Sequence, residues 1–257
     1  PARPRRPAHR AAAMNENVLR RTLRLVDQPA RVRCMLASRA LAAVAAHADA
    51  WPAVHVHHIT PHALDFIARS GCGVVSVAPA DARAAAQFAD ALFERGLHHT
   101  LRHLTVRLRE VRFQRRHTFF AALADLPALE VLNITCEAVL VPTGVALGNG
   151  EGLRRLRSLK ISEEPDANGE RRMEVYLDRA ELPALERVVL HVNTSDVLAH
   201  AWRFPHLRHV VYNNDRDTFE DARLDGCTLT YLETDVANDA ACATADVRYV
   251  IAASLAT

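Results

Sequence analysis

No apolar run in the chain approaches the roughly 20 residues that a membrane-spanning helix requires, so none is expected. The basic opening PARPRRPAHR is followed only by Ala11–Ala13, too little apolar chain for the core of a secretory signal. No cysteine pair has C-x-x-C spacing, which argues against a zinc ribbon. The five cysteines (Cys34, Cys72, Cys136, Cys227, Cys242) are scattered and odd in number, as expected of reduced thiols in an intracellular protein of cytoplasm or nucleus. Neither Gly71-Cys72-Gly73 nor the stretch Gly144–Gly152 fits G-x-x-x-x-G-K-[ST] or G-x-G-x-x-G, so no phosphate loop is expected and these read as turns. Only one of the 32 basic residues, Lys160, is a lysine.

What is present suits a folded chain. Of 257 residues, 49% are apolar and 24% charged, with a net charge of only +2, enough for a substantial core and too balanced for disorder. The balance hides a polarity. Residues 1–116 carry 19 basic against 8 acidic side chains, and residues 117–257 carry 13 against 22. Opposite charge at two ends can orient a partner before contact.

A repeat runs through the chain. The pattern apolar-x-x-apolar-x-apolar fits at Trp51-Val54-Val56, Cys72-Val75-Val77, Leu101-Leu104-Val106, Leu129-Leu132-Ile134 and Leu156-Leu159-Ile161. It continues at Leu185-Val188-Leu190, Leu207-Val210-Tyr212, Leu229-Leu232-Thr234 and Val247-Val250-Ala252. Each match predicts a short strand whose last two apolar residues face a common core. Between matches, Asp81–Arg95 and the shorter Thr118–Asp125 read as return helices. The prolines of Leu126-Pro127, Leu182-Pro183 and Phe204-Pro205 should stop what precedes them and favour extended chain before the strand.

Nine such matches at spacings of 18–29 residues resemble the leucine-rich-repeat family. The resemblance implies an α/β fold, a curved parallel sheet in a solenoid over residues 51–257. The family's asparagine or cysteine eight residues after the first leucine appears only at Asn193. Arg109, Glu137, Glu164, Asp215 and Ala237 hold other such positions, which predicts irregular repeats. The last interval, 18 residues, is short, and Thr234 of the eighth match and Ala252 of the ninth stand in core slots, as in a degenerate C-terminal cap.

Residues 14–50 have helical periodicity instead. Val18, Leu19, Leu23 and Val26 share one stripe, Asn15 could cap it, and Asp27-Gln28-Pro29 breaks it before two further short helices. The segment NVLRRTLRLVD (Asn17–Asp27) followed by QPARVRCMLASRAL (Gln28–Leu41) resembles the F-box. Val18, Leu19, Leu23, Val26, Asp27, Val32, Leu36 and Arg39 fit that motif. Met14-Asn15, Asn17, Thr22 and Leu41 depart from it. An F-box ahead of leucine-rich repeats is a family architecture. It implies a basic arm at 1–13, an F-box-like module at 14–50 and the repeats beyond.

No constellation of catalytic chemistry stands out, and neither an enzyme nor a cofactor is expected. His55, His57 and His58 cluster, but two imidazoles on one strand face without a third ligand make a weak metal site. His99 and His103 are four apart, yet a strand begins between them. The arginines of Arg102–Arg116 could meet phosphates, but nearby aromatics are few, so a protein-binding face is favoured over nucleic acid. Asn133-Ile134-Thr135 matches the glycosylation pattern but lies in a strand.

The family resemblance implies a non-catalytic substrate receptor. Leu19, Leu23, Val26, Val32 and Leu36 would dock on a Skp-type adaptor of a cullin ubiquitin ligase, while the repeats hold an unknown target protein. Alternation places His55, His57, His103, Arg107, Asn133, Lys160, His191, Asn213, Tyr231, Glu233 and Asp235 on the open sheet face. The first strands offer basic groups there and the last ones Glu233 and Asp235. A target should therefore be acidic at one end and basic at the other. The alternative is a leucine-rich-repeat scaffold without a ligase role.

Overall fold

The computed structural model describes residues 16–45, 50–109, 118–137, 143–147, 151–165, 171, 173–177, 181–192, 203–213, 229–234 and 248–251. The expected arm at 1–13, the cap residue Asn15, and Asn193 and Asp235 lie outside these residues. The chain is α/β.

Helices α1 (Glu16–Leu25), α2 (Gln28–Ala37) and α3 (Arg39–Ala45) come first, then β1 (Val54–Val56), α4 (Pro61–Ser70), β2 (Val74–Val77) and α5 (Ala82–Glu94). They are followed by β3 (His103–Arg109), α6 (Thr118–Ala124), β4 (Val131–Glu137), β5 (Thr143–Ala146), β6 (Ser158–Glu164) and β7 (Met173–Tyr176). Strands β8 (Arg187–His191), β9 (His209–Asn213), β10 (Tyr231–Thr234) and β11 (Arg248–Ile251) complete the order. Nine strands form one sheet in the order β1-β2-β3-β4-β6-β8-β9-β10-β11, every pair parallel. Strands β5 and β7 pair separately.

The register follows the apolar repeat. Val54, Val75, Leu104, Leu132, Leu159, Val188, Val210 and Leu232 stand side by side across eight strands. Leu132, Leu159 and Val188 are fully buried, and a one-residue slip would turn any of them to the open face. The ninth match is the exception: Leu232 pairs with Tyr249, one residue before Val250. That last match is the one that follows Thr234 and carries Ala252, so its apolar signal was too weak to hold the register read from the pattern.

What propagates the register is a repeated hydrogen-bond device. The amides of Leu129, Leu156, Leu185 and Leu207 donate to Leu126, Leu153, Leu182 and Phe204 O, closing a four-residue turn before each strand. The next two amides donate to one carbonyl of the preceding repeat: Glu130 and Val131 to Arg102 O, Arg157 and Ser158 to Glu130 O, Glu186 and Arg187 to Arg157 O. Each repeat is thereby seated on the one before. Pro127, Pro183 and Pro205 occupy the second turn position, where a fixed φ is already suitable. The prolines open tight turns that bury both flanking apolar residues, which corrects their reading as starts of extended chain.

The return segments change character along the chain. Asp81 caps α5 through its side chain, accepting from Ala84 N at 2.7 Å, and Ala85, Phe88, Ala89, Ala91 and Leu92 turn inward. Helix α4, capped by Thr60 and ended by Gly71 in the left-handed region (φ 61°), was not foreseen. After β4 and after β6 the return carries a strand, β5 and β7 respectively. The Gly144–Gly152 stretch, read as turns, contains β5, and Glu163 is the buried acid that fastens β7: its Oε2 accepts from Met173 N at 2.6 Å.

Gly152 shows how tightly the returns pack. A Cβ there would lie 2.3 Å from Ala124 O and 2.4 Å from Asp125 Cα, both backbone atoms at the end of α6. Gly152→Ala should therefore lower the unfolding free energy by about 1–3 kcal/mol, read as a fall in the urea midpoint at constant slope. An unchanged midpoint would show that this contact is loose.

Candidate functional site

Two surfaces could meet partners, the open face of the sheet and the outer side of the first two helices.

On the open face, side chains between the buried positions line up in rows at the roughly 4.8 Å strand spacing. His55, His57, His103, Arg107 and Lys160 are exposed, and Asn133, His191 and Tyr231 half-buried. Asn213 and Glu233 hold the expected places in β9 and β10. His55 on β1 and His103 and Arg107 on β3 stand at the end where the sequence places the basic groups. Asn133 Nδ2 donates to Thr105 Oγ1 and Ser162 Oγ to Thr135 Oγ1, each at 3.5 Å, so the middle of the face is polar and linked across strands. Near β9 it becomes apolar. The His209 and Tyr231 rings stack at 4.3 Å with planes 4° apart, and Val189, between Lys160 and Val211 in the register, is only 6% exposed. Val189 was missed because it falls between the core positions of its match.

The helical segment has an inward and an outward side. Inward, Leu23, Val44, Ala45, Ala50 and Trp51 join the core, and the Trp51 indole N–H donates to Ala45 O. Leu19 and Val26 pack partly against it. Arg31 is the buried residue of α2. Its Nε donates to Val26 O at 2.8 Å, its Nη2 to Arg24 O at 3.4 Å, and its guanidinium lies 5.2 Å from the centre of the Trp51 ring. Burial pushes the Arg31 pKa down, with Asp27 pulling the other way. Asp27 itself caps α2, accepting from Ala30 N at 2.7 Å.

Gln28 closes the sheet's first edge. Its Nε2 donates to His55 O at 2.7 Å while its Oε1 accepts from His55 N at 2.8 Å, so the amide imitates a neighbouring strand. Unpaired edges invite association with other chains. Neither Gln28 nor Arg31 was visible as important from the pattern. Arg31 sits at helical spacing with Cys34 and Met35, both partly buried, and this stripe competes with Val32 and Leu36 on the same helix.

Outward, apolar side chains stand among the exposed arginines Arg21, Arg24 and Arg33. Val18, Leu25, Val32 and Leu36 are exposed by 52%, 86%, 42% and 83%, four of the five large apolar side chains exposed among the described residues. The expected docking set therefore divides. Val32 and Leu36 face water, Leu19 and Val26 are half-buried, and Leu23 at 4% belongs to the core and offers no docking surface. Leu25 and Val18 take its place on the outside.

Thiol chemistry has little support. Cys72 and Cys136 are buried, and burial pushes both thiols up, with the Glu163 charge adding at Cys136. Among the described residues no group of three or more His, Cys, Asp or Glu could hold a metal, and no helix is long and apolar enough to cross a membrane. The chain matches no protein-family model and no curated protein.

The Gln28 contact is directly testable. Gln28→Ala should speed hydrogen exchange at the His55 amide several-fold, the equivalent of about 1 kcal/mol for the lost bond, while Leu132 exchanges as before. Unchanged exchange at His55 would mean that something else closes this edge.

Proposed function

We propose that the protein is a non-catalytic substrate-recognition subunit of a Skp/cullin/F-box type ubiquitin ligase, acting inside the cell in cytoplasm or nucleus. The observation that carries the reading is the cluster of exposed apolar side chains on α1 and α2, in the segment that resembles an F-box. Exposed apolar surface of this kind marks partner contacts on folded proteins. In this reading the parallel sheet is a leucine-rich-repeat solenoid, its strands following one another in chain order. Its open face holds a target protein, with Tyr231 as an anchor and Arg107 and His103 steering acidic groups. The receptor does no chemistry; it raises the local concentration of target lysines at a partner enzyme.

A second reading is favoured by Gln28 and Arg31. Their contacts with His55 and Trp51 make the helices a cap on the first strand, which a scaffold without any adaptor would also need.

Co-expression with a Skp-type adaptor separates the two. The wild-type chain should retain the adaptor, and Leu25→Ala with Leu36→Ala should lose it without a change in melting temperature, because both side chains are exposed. Leu23→Ala should instead cost about 2–5 kcal/mol of stability as a buried truncation. No retention by the wild type, or full retention by the exposed double variant, would leave the scaffold reading standing.

A further inference from the structure

A cleft of about 620 Å³ runs along the starting ends of the strands and shares His103 with the open face. It is lined by Trp51 and Pro52 before β1, Gly71–Val74 at β2, His99, Thr100, Arg102 and His103 at β3, Glu130 before β4 and Arg155 before β6. Four strand spacings separate its ends, roughly 19 Å, the reach of about six residues of extended chain. The volume lies within the ordinary range of ligand sites.

We infer that this cleft binds an acidic, extended peptide segment of another protein. The argument starts from its charge. Arg24, Arg102 and Arg155 line it together with His99 and His103, all five exposed, against the single carboxylate of Glu130. Among the described residues no carboxylate pairs with any of the three guanidinium groups, whereas Arg95 and Arg157 elsewhere do have acidic partners. Three unneutralised arginines in one concave site attract carboxylates and offer them forked donors.

Backbone hydrogen bonds fix the floor beneath these side chains. Gly73 O accepts from both Arg102 N and His103 N at 2.8 Å, and a Cβ on Gly73 would come within 3.1 Å of Thr100 O. The Arg24 backbone is held by the bond from Arg31 at the base of α1. One wall of the cleft thus belongs to the helical segment and the other to the repeats.

A peptide fits better than a single-stranded nucleic acid. Trp51 is 2% exposed and turned into the core, which leaves the small imidazoles of His99 and His103 as the lining's exposed rings for bases. Glu130, half-buried one strand from the β6 end of the cleft, can accept a peptide N–H, a donor that a phosphate backbone lacks. The inference does not rest on the ligase reading, because a scaffold would present the same cleft.

The test is fluorescence anisotropy of a short Glu/Asp-rich labelled peptide with the full chain, beside a Lys-rich peptide and a single-stranded RNA of similar length. The acidic peptide should bind best and weaken as salt rises. Arg102→Glu with Arg155→Glu should weaken it about tenfold or more. The neutral pair Arg102→Gln with Arg155→Gln should weaken it less, with unchanged melting, and exposed Arg83→Glu on α5 should leave it within about twofold. No binding of the acidic peptide, preference for RNA, equal binding by both double variants and wild type, or an equal loss in Arg83→Glu would each overturn the inference.

Discussion

Everything in this chain depends on one constraint: each strand of the main sheet must set its apolar pair level with its neighbour's. Val75, Leu104, Leu132, Leu159, Val188 and Val210 form one continuous row, and their burial is shared between adjacent repeats. A single repeat has no core of its own. The paired amides that seat each strand on a carbonyl of the preceding repeat transmit the register from one end to the other. Those carbonyl positions also carry alternating charge, Arg102, Glu130, Arg157, Glu186 and Arg208, with Arg157 Nη1 3.9 Å from Glu186 Oε1. Exposed pairs of this kind contribute only fractions of a kcal/mol, but like charges side by side would oppose the stack.

A stack of this design has a first edge, and the helical segment closes it. Gln28 supplies the missing strand's hydrogen bonds to His55, and Arg31 joins the end of α1 to the Trp51 ring. The same two helices leave Val18, Leu25, Val32 and Leu36 in water. Capping alone explains the inner side and gives no reason for the outer one. Four exposed apolar side chains that no described part of the chain covers are the physical basis for proposing a partner there.

The repeat pattern was legible because burial on one face ties residue type to position. Eight of nine matches fall in register, and the buried row needed no tertiary information. The ninth slipped by a residue where Thr234 and Ala252 weakened the signal. The helical segment was harder. α2 carries two apolar stripes, Cys34-Met35 and Val32-Leu36, and periodicity cannot say which one the core selects. The core selected the stripe containing Arg31, whose charge argued against burial until the Val26 carbonyl and the Trp51 ring were in place. Glu163 was illegible because its partner, Met173 N, belongs to a return strand outside the nine matches, although Met173, Val175 and Leu177 alternate into the core there. The cleft at the strand starts could not be read at all, since Arg24, Arg102 and Arg155 meet only through folding.

The central claim is that one helical segment faces two ways, inward as a cap and outward as a docking surface. Hydrogen–deuterium exchange of the full chain, alone and with a Skp-type adaptor in excess, tests it most directly. The account predicts new protection confined to residues 18–36, with the strands from β3 to β8 unchanged and His55 protected in both states. Protection appearing on the open sheet face instead, or none anywhere in α1 and α2, would contradict it.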